Sequence, residues 1–460
     1  MGFEHVKLGV AHSAEVPYAD AAIELPPEDH GVELLTLRKG FEPGFTGWNA
    51  RKGIDIFVTL RGRDKITAFG CYCYRMSGGA TGLVQETWKV SSILRGDHVL
   101  ADDKVFEKAR VYLRLLPSQI LNIVDPDDDR PTAVFTNLAL DANATLDLKV
   151  KWDNQGAGRE IKYTRRAFFE LTFKAPQSVT DINSEYAEAL RSLIAICLRS
   201  EESIEKIEYF RQSVSNAATL TSAHDKVYPE AVKANRPIIY PILLLEPKDY
   251  KAWIKTWLLI KEYADIAERL SVESPENVLE RLIRAVGKLE GLHHTLRPQS
   301  QASEFRSRVN ELVANSLTFK KAFKVPTKSY GAKIKATRDF WIHNKDQYEV
   351  NEELMKEVEA QLAFCVILYT DTLLKAAGIR LERVTCAEPN SEPEVLVAKY
   401  MFEHLMRTVV RQLGSVTSVP DDTFRTYTMK EKVQILRRAV LEAVKETSMI
   451  AVFKEKRPKQ

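Results

Sequence analysis

Near Asn183 the hydrophobic pattern of this chain changes period, and few architectures accept both halves. Up to about residue 175 the apolar positions cluster in short runs, several of them alternating with polar ones: 54–60, 65–74, 109–116, 132–140, 144–152 and 167–173. These runs are rich in β-branched and aromatic residues and are separated by turn clusters such as Arg61-Gly-Arg-Asp64 and Asp125-Pro-Asp-Asp-Asp129. Alternation at period two marks half-buried strands, and the spacing predicts a sandwich or an open barrel. From Tyr186, through Leu190, Leu193, Ile194 and Cys197, the period becomes helical, which predicts one helix over about 184–199. A strand at 204–210 and a polar segment at 211–235 follow. Pro237, Pro241 and Pro247 then lead into a half in which helices dominate.

Helix boundaries are legible in that second half. Ser274-Pro275-Glu276 combines an N-cap residue, a Pro in the first turn and an acid beside the positive end of the dipole. Leu282, Val286 and Leu289 then share one face. A second helix is predicted over 303–317, with Phe305, Val309, Leu312 and Val313 facing inward. Pro326 opens a third, and Asn351 caps a fourth that ends near Gly378, a residue suited to the C′ position. A Pro-containing linker at 387–393 precedes helices at about 393–413 and 428–446. The last of these begins with the capping-box pattern Thr428-Met-Lys-Glu431. The fold class predicted is α+β. A β-rich N-terminal domain (1–247) precedes a helical domain (248–386) and a C-terminal helical extension (387–460).

With 460 residues the chain exceeds one ordinary core. A 45% hydrophobic and 28% charged composition is that of a globular protein. No apolar run approaches the roughly 18 residues of a membrane span, and MGFEHVKLGV has no apolar core of a signal peptide. Five cysteines without a paired framework suit a reducing compartment, so a cytoplasmic location is expected.

The formal net charge is only +3, yet the stretch 317–344 holds Lys320, Lys321, Lys324, Lys328, Lys333, Lys335 and Arg338, and no acid lies between Leu312 and Arg338. Phe319, Phe323, Tyr330, Phe340 and Trp341 are interleaved with these cations. Such a strip attracts a phosphate backbone and offers ring faces to unpaired bases; the six lysines are the expected RNA contacts. The strip ends in Arg338-Asp-Phe-Trp-Ile-His343, the one Arg-x4-His spacing in the chain. On a helix Asp339 and His343 share a face, so the carboxylate is placed to orient the imidazole. Arg338 lies about 140° from His343. A solvated cationic helix with a structural histidine is the competing reading.

Other motifs point to less. Adjacent His293 and His294 lack the i, i+4 spacing of a zinc helix and read as surface or interface residues. Cys71-x-Cys73 reads as packing within a strand. Gly78-Gly-Ala-Thr-Gly82 lacks the Lys-Ser/Thr of a phosphate loop. Trp253 and Trp257, one turn apart, read as core. Glu290 reads equally as a polar support of the site or as a solvated residue. No metal or cofactor site is expected.

The helical half resembles a HEPN domain of the kind found in ApeA-like proteins. Nucleases of that superfamily carry Arg, a small polar residue and His in an Rx4–6H motif near a helix end, and Arg338, Asp339 and His343 fall on those positions. A leading helix with Leu289-Glu290, a second with Phe305, a motif helix and a long closing helix match in style, over about 248–380. The commonest second motif residue is Asn, where this chain has Asp339. The β segments, the FELTFKAP run (169–176) and the Trp253 region resemble the N-terminal domain paired with HEPN in those proteins.

This resemblance implies a metal-independent endoribonuclease. His343 would handle the 2′-hydroxyl or leaving-group proton, and Arg338 would offset phosphorane charge. It also implies a homodimer with a composite site, and a role in anti-phage defence with a phage-derived or small-molecule trigger on the N-terminal domain. A non-catalytic HEPN scaffold that binds RNA or nucleotide is the alternative.

Overall fold

A computed structural model describes residues 6–12, 19–24, 33–39, 53–78, 83–114, 116, 132–155, 162–198, 202–211, 217–222, 245–271, 278–316, 331–336, 338–339, 361–362, 365 and 368–379. It shows a large N-terminal β-sheet followed by a helical region. The chain divides into two compact units, Met1–Arg191 with Glu202–Ala234, and 192–201 with 235–460.

Among the described residues the first unit holds thirteen antiparallel strands: β1 (Val6–His12), β2 (Ala19–Glu24), β3 (Glu33–Lys39), β4 (Ile54–Leu60), β5 (Lys65–Gly78), β6 (Leu83–Lys89), β7 (Ser92–Arg95), β8 (Phe106–Leu113), β9 (Thr132–Ala139), β10 (Ala144–Gln155), β11 (Lys162–Gln177), β12 (Ile204–Phe210) and β13 (Ala218–Ser222). Strands β4-β1-β2-β3-β6-β5 return to β4 through the β4–β5 hairpin. They close a six-stranded barrel, where the spacing alone had suggested a sandwich or an open one. Closure removes the free edges that an open barrel leaves.

Gly70 is where this sheet branches. At φ +59° it sits in the left-handed region, and β4 pairs Ile56 with Ala68 but Ile54 with Cys71, so β5 carries one extra residue there. That bulge shifts the alternation, so that Ile66 and Ala68 before it, and Cys71 and Cys73 after it, all enter the barrel core. Opposite Gly70 the partner strand breaks at Ser91. Strand β6 stays in the barrel beside β3, while β7 diverges to pair with β13. From β7 the sheet continues open as β13-β12-β8-β11-β10-β9.

One face of that open sheet is apolar, with Val111 opposite Phe169, Ala109 opposite Leu171, and Leu146 and Leu148 beyond them. The segment after β11 runs through Val179–Asp181 and a π-helical stretch, Ile182–Ala187, into helix α1 (Glu188–Leu198). Tyr186 packs edge-on against Phe173, ring centroids 5.4 Å apart, and the Tyr209 hydroxyl donates to Asn183 at 2.8 Å. The other face alternates charge. Glu170 lies between Lys108, Arg110 and Lys149, and Glu208 accepts from Lys206 and from the Tyr112 hydroxyl.

The described part of the second unit holds α2 (Pro247–Ser271), α3 (Val278–Leu296) and α4 (Phe305–Asn315), with helical turns at 331–336, 338–339 and 368–376. Trp253 and Trp257 are buried on α2 as core residues, and Phe305, Val309, Leu312 and Val313 are buried on α4. Gly291 of α3 faces the Tyr263 hydroxyl of α2 so closely that a Cβ there would lie 3.0 Å from it. Gly378, at φ +74°, ends the helical turns at 368–376. Its N–H donates to the Lys375 carbonyl, and the Ile379 N–H reaches back to Leu374, the paired bonds of a Schellman cap. The predicted starts at Ser274, Pro326 and Asn351, the turns at Asp125–Asp129 and 79–82, and the extension 387–460 lie outside the described residues.

Candidate nucleic-acid interface

The end of the cationic strip is positioned by α4. Gly331 opens the helical turns 331–336 at a point where an added Cβ would meet the Arg306 carbonyl oxygen at 2.8 Å and Asn310 Oδ1 at 2.2 Å. Only a residue without a side chain lets the two backbones come so close. The Asn310 oxygen is buried there without a hydrogen-bond partner. One turn on, Ile334 is fully buried. Seven residues beyond Gly331, which is about 20° short of two full turns, Arg338 falls on the same face. Its guanidinium carbon sits 4.6 Å from the centre of the Phe305 ring.

Arg338 is therefore half-buried against α4 rather than free in solvent. Asp339 accepts from Lys335 at 2.5 Å, an i, i+4 pair one turn back. Of the lysines assigned to RNA, Lys335 is thus engaged with Asp339, and Lys333 is half-exposed. Lys320, Lys321, Lys324, Lys328 and His343 lie outside the described residues, and so does any Arg338–His343 geometry.

The remaining polar residues brace the helices. Glu290 of α3 pairs with Arg308 of α4, whose Nε–H also donates to the Ala302 carbonyl at 2.9 Å. The Arg308 guanidinium thus ties α4 to α3 and to the loop joining them. His293 corrects the reading of a surface pair: it is 1% exposed, while His294 is exposed. Its Nε2 contacts Glu311 Oε2 at 2.8 Å, and the Ser300 hydroxyl donates to the same oxygen at 2.9 Å. Those bonds, from His293 first and Ser300 second, hold the Glu311 carboxyl below its usual range. The side chains of Ser316 and Asp371 form a buried hydrogen bond, and Lys375 donates to the Asn315 carbonyl, closing the C-terminal end of α4.

Phe305 is the residue here that sequence reasoning read as core and as a mark of the second helix, with no contact to the strip. Its place at the first turn of the helix preceding the strip was visible, but its contact with Arg338 spans 33 positions and has no local signal. Arg308 was missed likewise. Among the described residues no group of three or more His, Cys, Asp or Glu is arranged to hold a metal ion, and no helix is long and apolar enough to cross a membrane. Compared with known proteins, the chain matches no family model, no curated protein and no solved structure.

Proposed function

We propose that the chain is a metal-independent endoribonuclease of the HEPN type, with Arg338 and His343 as the reacting groups. The observation that carries the reading is the acid-free cationic strip that ends in Arg338-x4-His343. The docking of its last described turns on α4 supports it by holding Arg338 in a fixed place. In this reaction the nucleophile belongs to the substrate. His343 takes the proton of the 2′-hydroxyl, the 2′-oxygen attacks phosphorus, and the bond to the 5′-oxygen breaks. The leaving 5′-oxygen takes a proton from water, protonated His343 returns its own to solvent, and a 2′,3′-cyclic phosphate remains. Arg338 offsets the charge that builds on the phosphorane oxygens, a contribution worth roughly 3–4 kcal/mol per donor in comparable sites. In the same reading the β-rich unit is the sensor, and a phage-derived or small-molecule trigger on it raises a basal cleavage that the chain shows alone.

A second reading has its own observation. Arg338 lies on Phe305 and Asp339 is engaged by Lys335, contacts that a non-catalytic RNA-binding helix would also make. Cleavage of labelled single-stranded RNA in EDTA separates the two. The ribonuclease reading expects activity in the wild-type chain and its loss in both His343→Ala and Arg338→Ala with melting temperatures retained. Binding without cutting in all three proteins would establish the scaffold reading instead.

A further inference from the structure

We infer that Phe305 is a positioning residue, whose ring fixes the Arg338 guanidinium for contact with the scissile phosphate; this rests on the ribonuclease reading above. Two contacts seven residues apart define how the strip lies on α4. Gly331 touches the 306–310 turn and Arg338 touches Phe305. As the strip advances, its contacts move back toward the start of α4, so the close approach at Gly331 delivers Arg338 to the ring. Phe305 is 7% exposed and opens a helix whose Val309, Leu312 and Val313 are core, so the ring is itself held.

An arginine side chain free in water samples many rotamers, and a phosphate must select one of them. A ring against one side of the guanidinium removes that freedom before substrate arrives and leaves in-plane N–H donors for a bidentate grip on phosphate. The Lys335–Asp339 pair has no comparable role. Lys335 is half-exposed, and a solvated i, i+4 pair is too weak to order a site.

The test uses the full chain, and two readouts keep packing apart from positioning. In protein labelled with ¹⁵N-arginine, the Arg338 Nε–H resonance, identified by its loss in Arg338→Lys, is expected to be shifted by the ring current. The shift should disappear in Phe305→Leu and persist in Phe305→Tyr. Kinetics on labelled single-stranded RNA in EDTA should show kcat lowered roughly 10- to 100-fold in Phe305→Leu, with KM little changed and activity rescued in Phe305→Tyr. Replacing Phe305 by pentafluorophenylalanine, which keeps the shape and inverts the ring electrostatics, should lower kcat without lowering the melting temperature. It serves as the deciding variant should Phe305→Leu fail to fold.

An unshifted resonance in the wild type overturns the inference, as does full activity in the fluorinated protein. Both outcomes differ from a wild type that cuts no RNA while the ring shift is present. That result would remove the ribonuclease reading, and the positioning role with it.

Discussion

A carboxylate sunk into a sheet face survives there only if cations follow it, and Glu170 has three. Its side chain is 7% exposed, with Lys108 at 2.9 Å, Arg110 at 2.6 Å and Lys149 at 2.7 Å. Burial pushes the carboxyl up, and the bonds from Lys149, Lys108 and Arg110 more than reverse this, holding it at about 2. The folded value lies below the ordinary one of 4.5. The stabilisation is therefore complete above about pH 4.5 and is lost as pH falls through about 2. Screening by water around the partly exposed partners leaves roughly 1–2 kcal/mol at neutral pH. Glu170→Gln should lower stability by about that much at pH 7. In urea titrations its difference from wild type should shrink steadily from pH 4.5 down to 2. A pH-independent difference would assign the loss to packing. The sequence shows every charge of this cluster, but Lys108, Lys149 and Glu170 come from three strands. Only the register that sets Glu170 opposite Arg110 and Asp147 joins them.

Elements were legible where they were long or strongly patterned. Strand β12 occupies the residues its β-branched and aromatic run indicates, and α4 buries the four residues its spacing selects. Shorter or more polar strands gave no such signal: β7 has four residues, and β13, Ala-Thr-Leu-Thr-Ser, sits inside a stretch read as polar. They become strands because β5 and β12 offer them paired edges, a tertiary cause that propensity does not carry. Gly70 shows how much one position can decide. Read along β5, the chain has one strand with a glycine in it; in the fold, the bulge there directs β6 to the barrel and β7 to the open sheet. An added Cβ would lie 2.8 Å from Ser91 Oγ, on a backbone with φ +59°. Gly70→Ala is expected to cost about 2–3 kcal/mol from strain and crowding together. Denaturant unfolding measures this, and Gly62→Ala, with no atom within 4 Å of the added Cβ, is the matched control that should change little. Equal losses at both positions would show that Gly70 has no special place in the branch.

For the whole molecule, the switch of hydrophobic period told that a sheet precedes a helical region, because that pattern is written along the chain. Assembly is not written there, and the proposed chemistry makes it the next question. One strip supplies one Arg338 and one His343, about 140° apart if the helix continues. The face that carries Arg338 is the face turned to α4 and Phe305, so a helix continued through residue 343 would direct its histidine elsewhere. Two strips meeting about a two-fold axis remove the difficulty, since the arginine of one protomer and the histidine of the other can then flank one phosphate, and two-fold symmetry is the commonest arrangement of soluble homo-oligomers. A dimer should therefore be present at low micromolar concentration by sedimentation, and dilution below its dissociation constant should abolish RNA cleavage. Mixing is the sharper measurement. His343→Ala chains retain Arg338, and Arg338→Ala chains retain His343, so each homodimer is inert while a heterodimer holds one arginine and one histidine on opposite protomers. Co-refolded mixtures should regain a fraction of wild-type activity that neither parent shows. The regained activity should peak at an equimolar ratio, because heterodimers are then most abundant. Cleavage by a monomer, or a mixture as inert as its parents, would mean that the site is complete within one chain or is not this site.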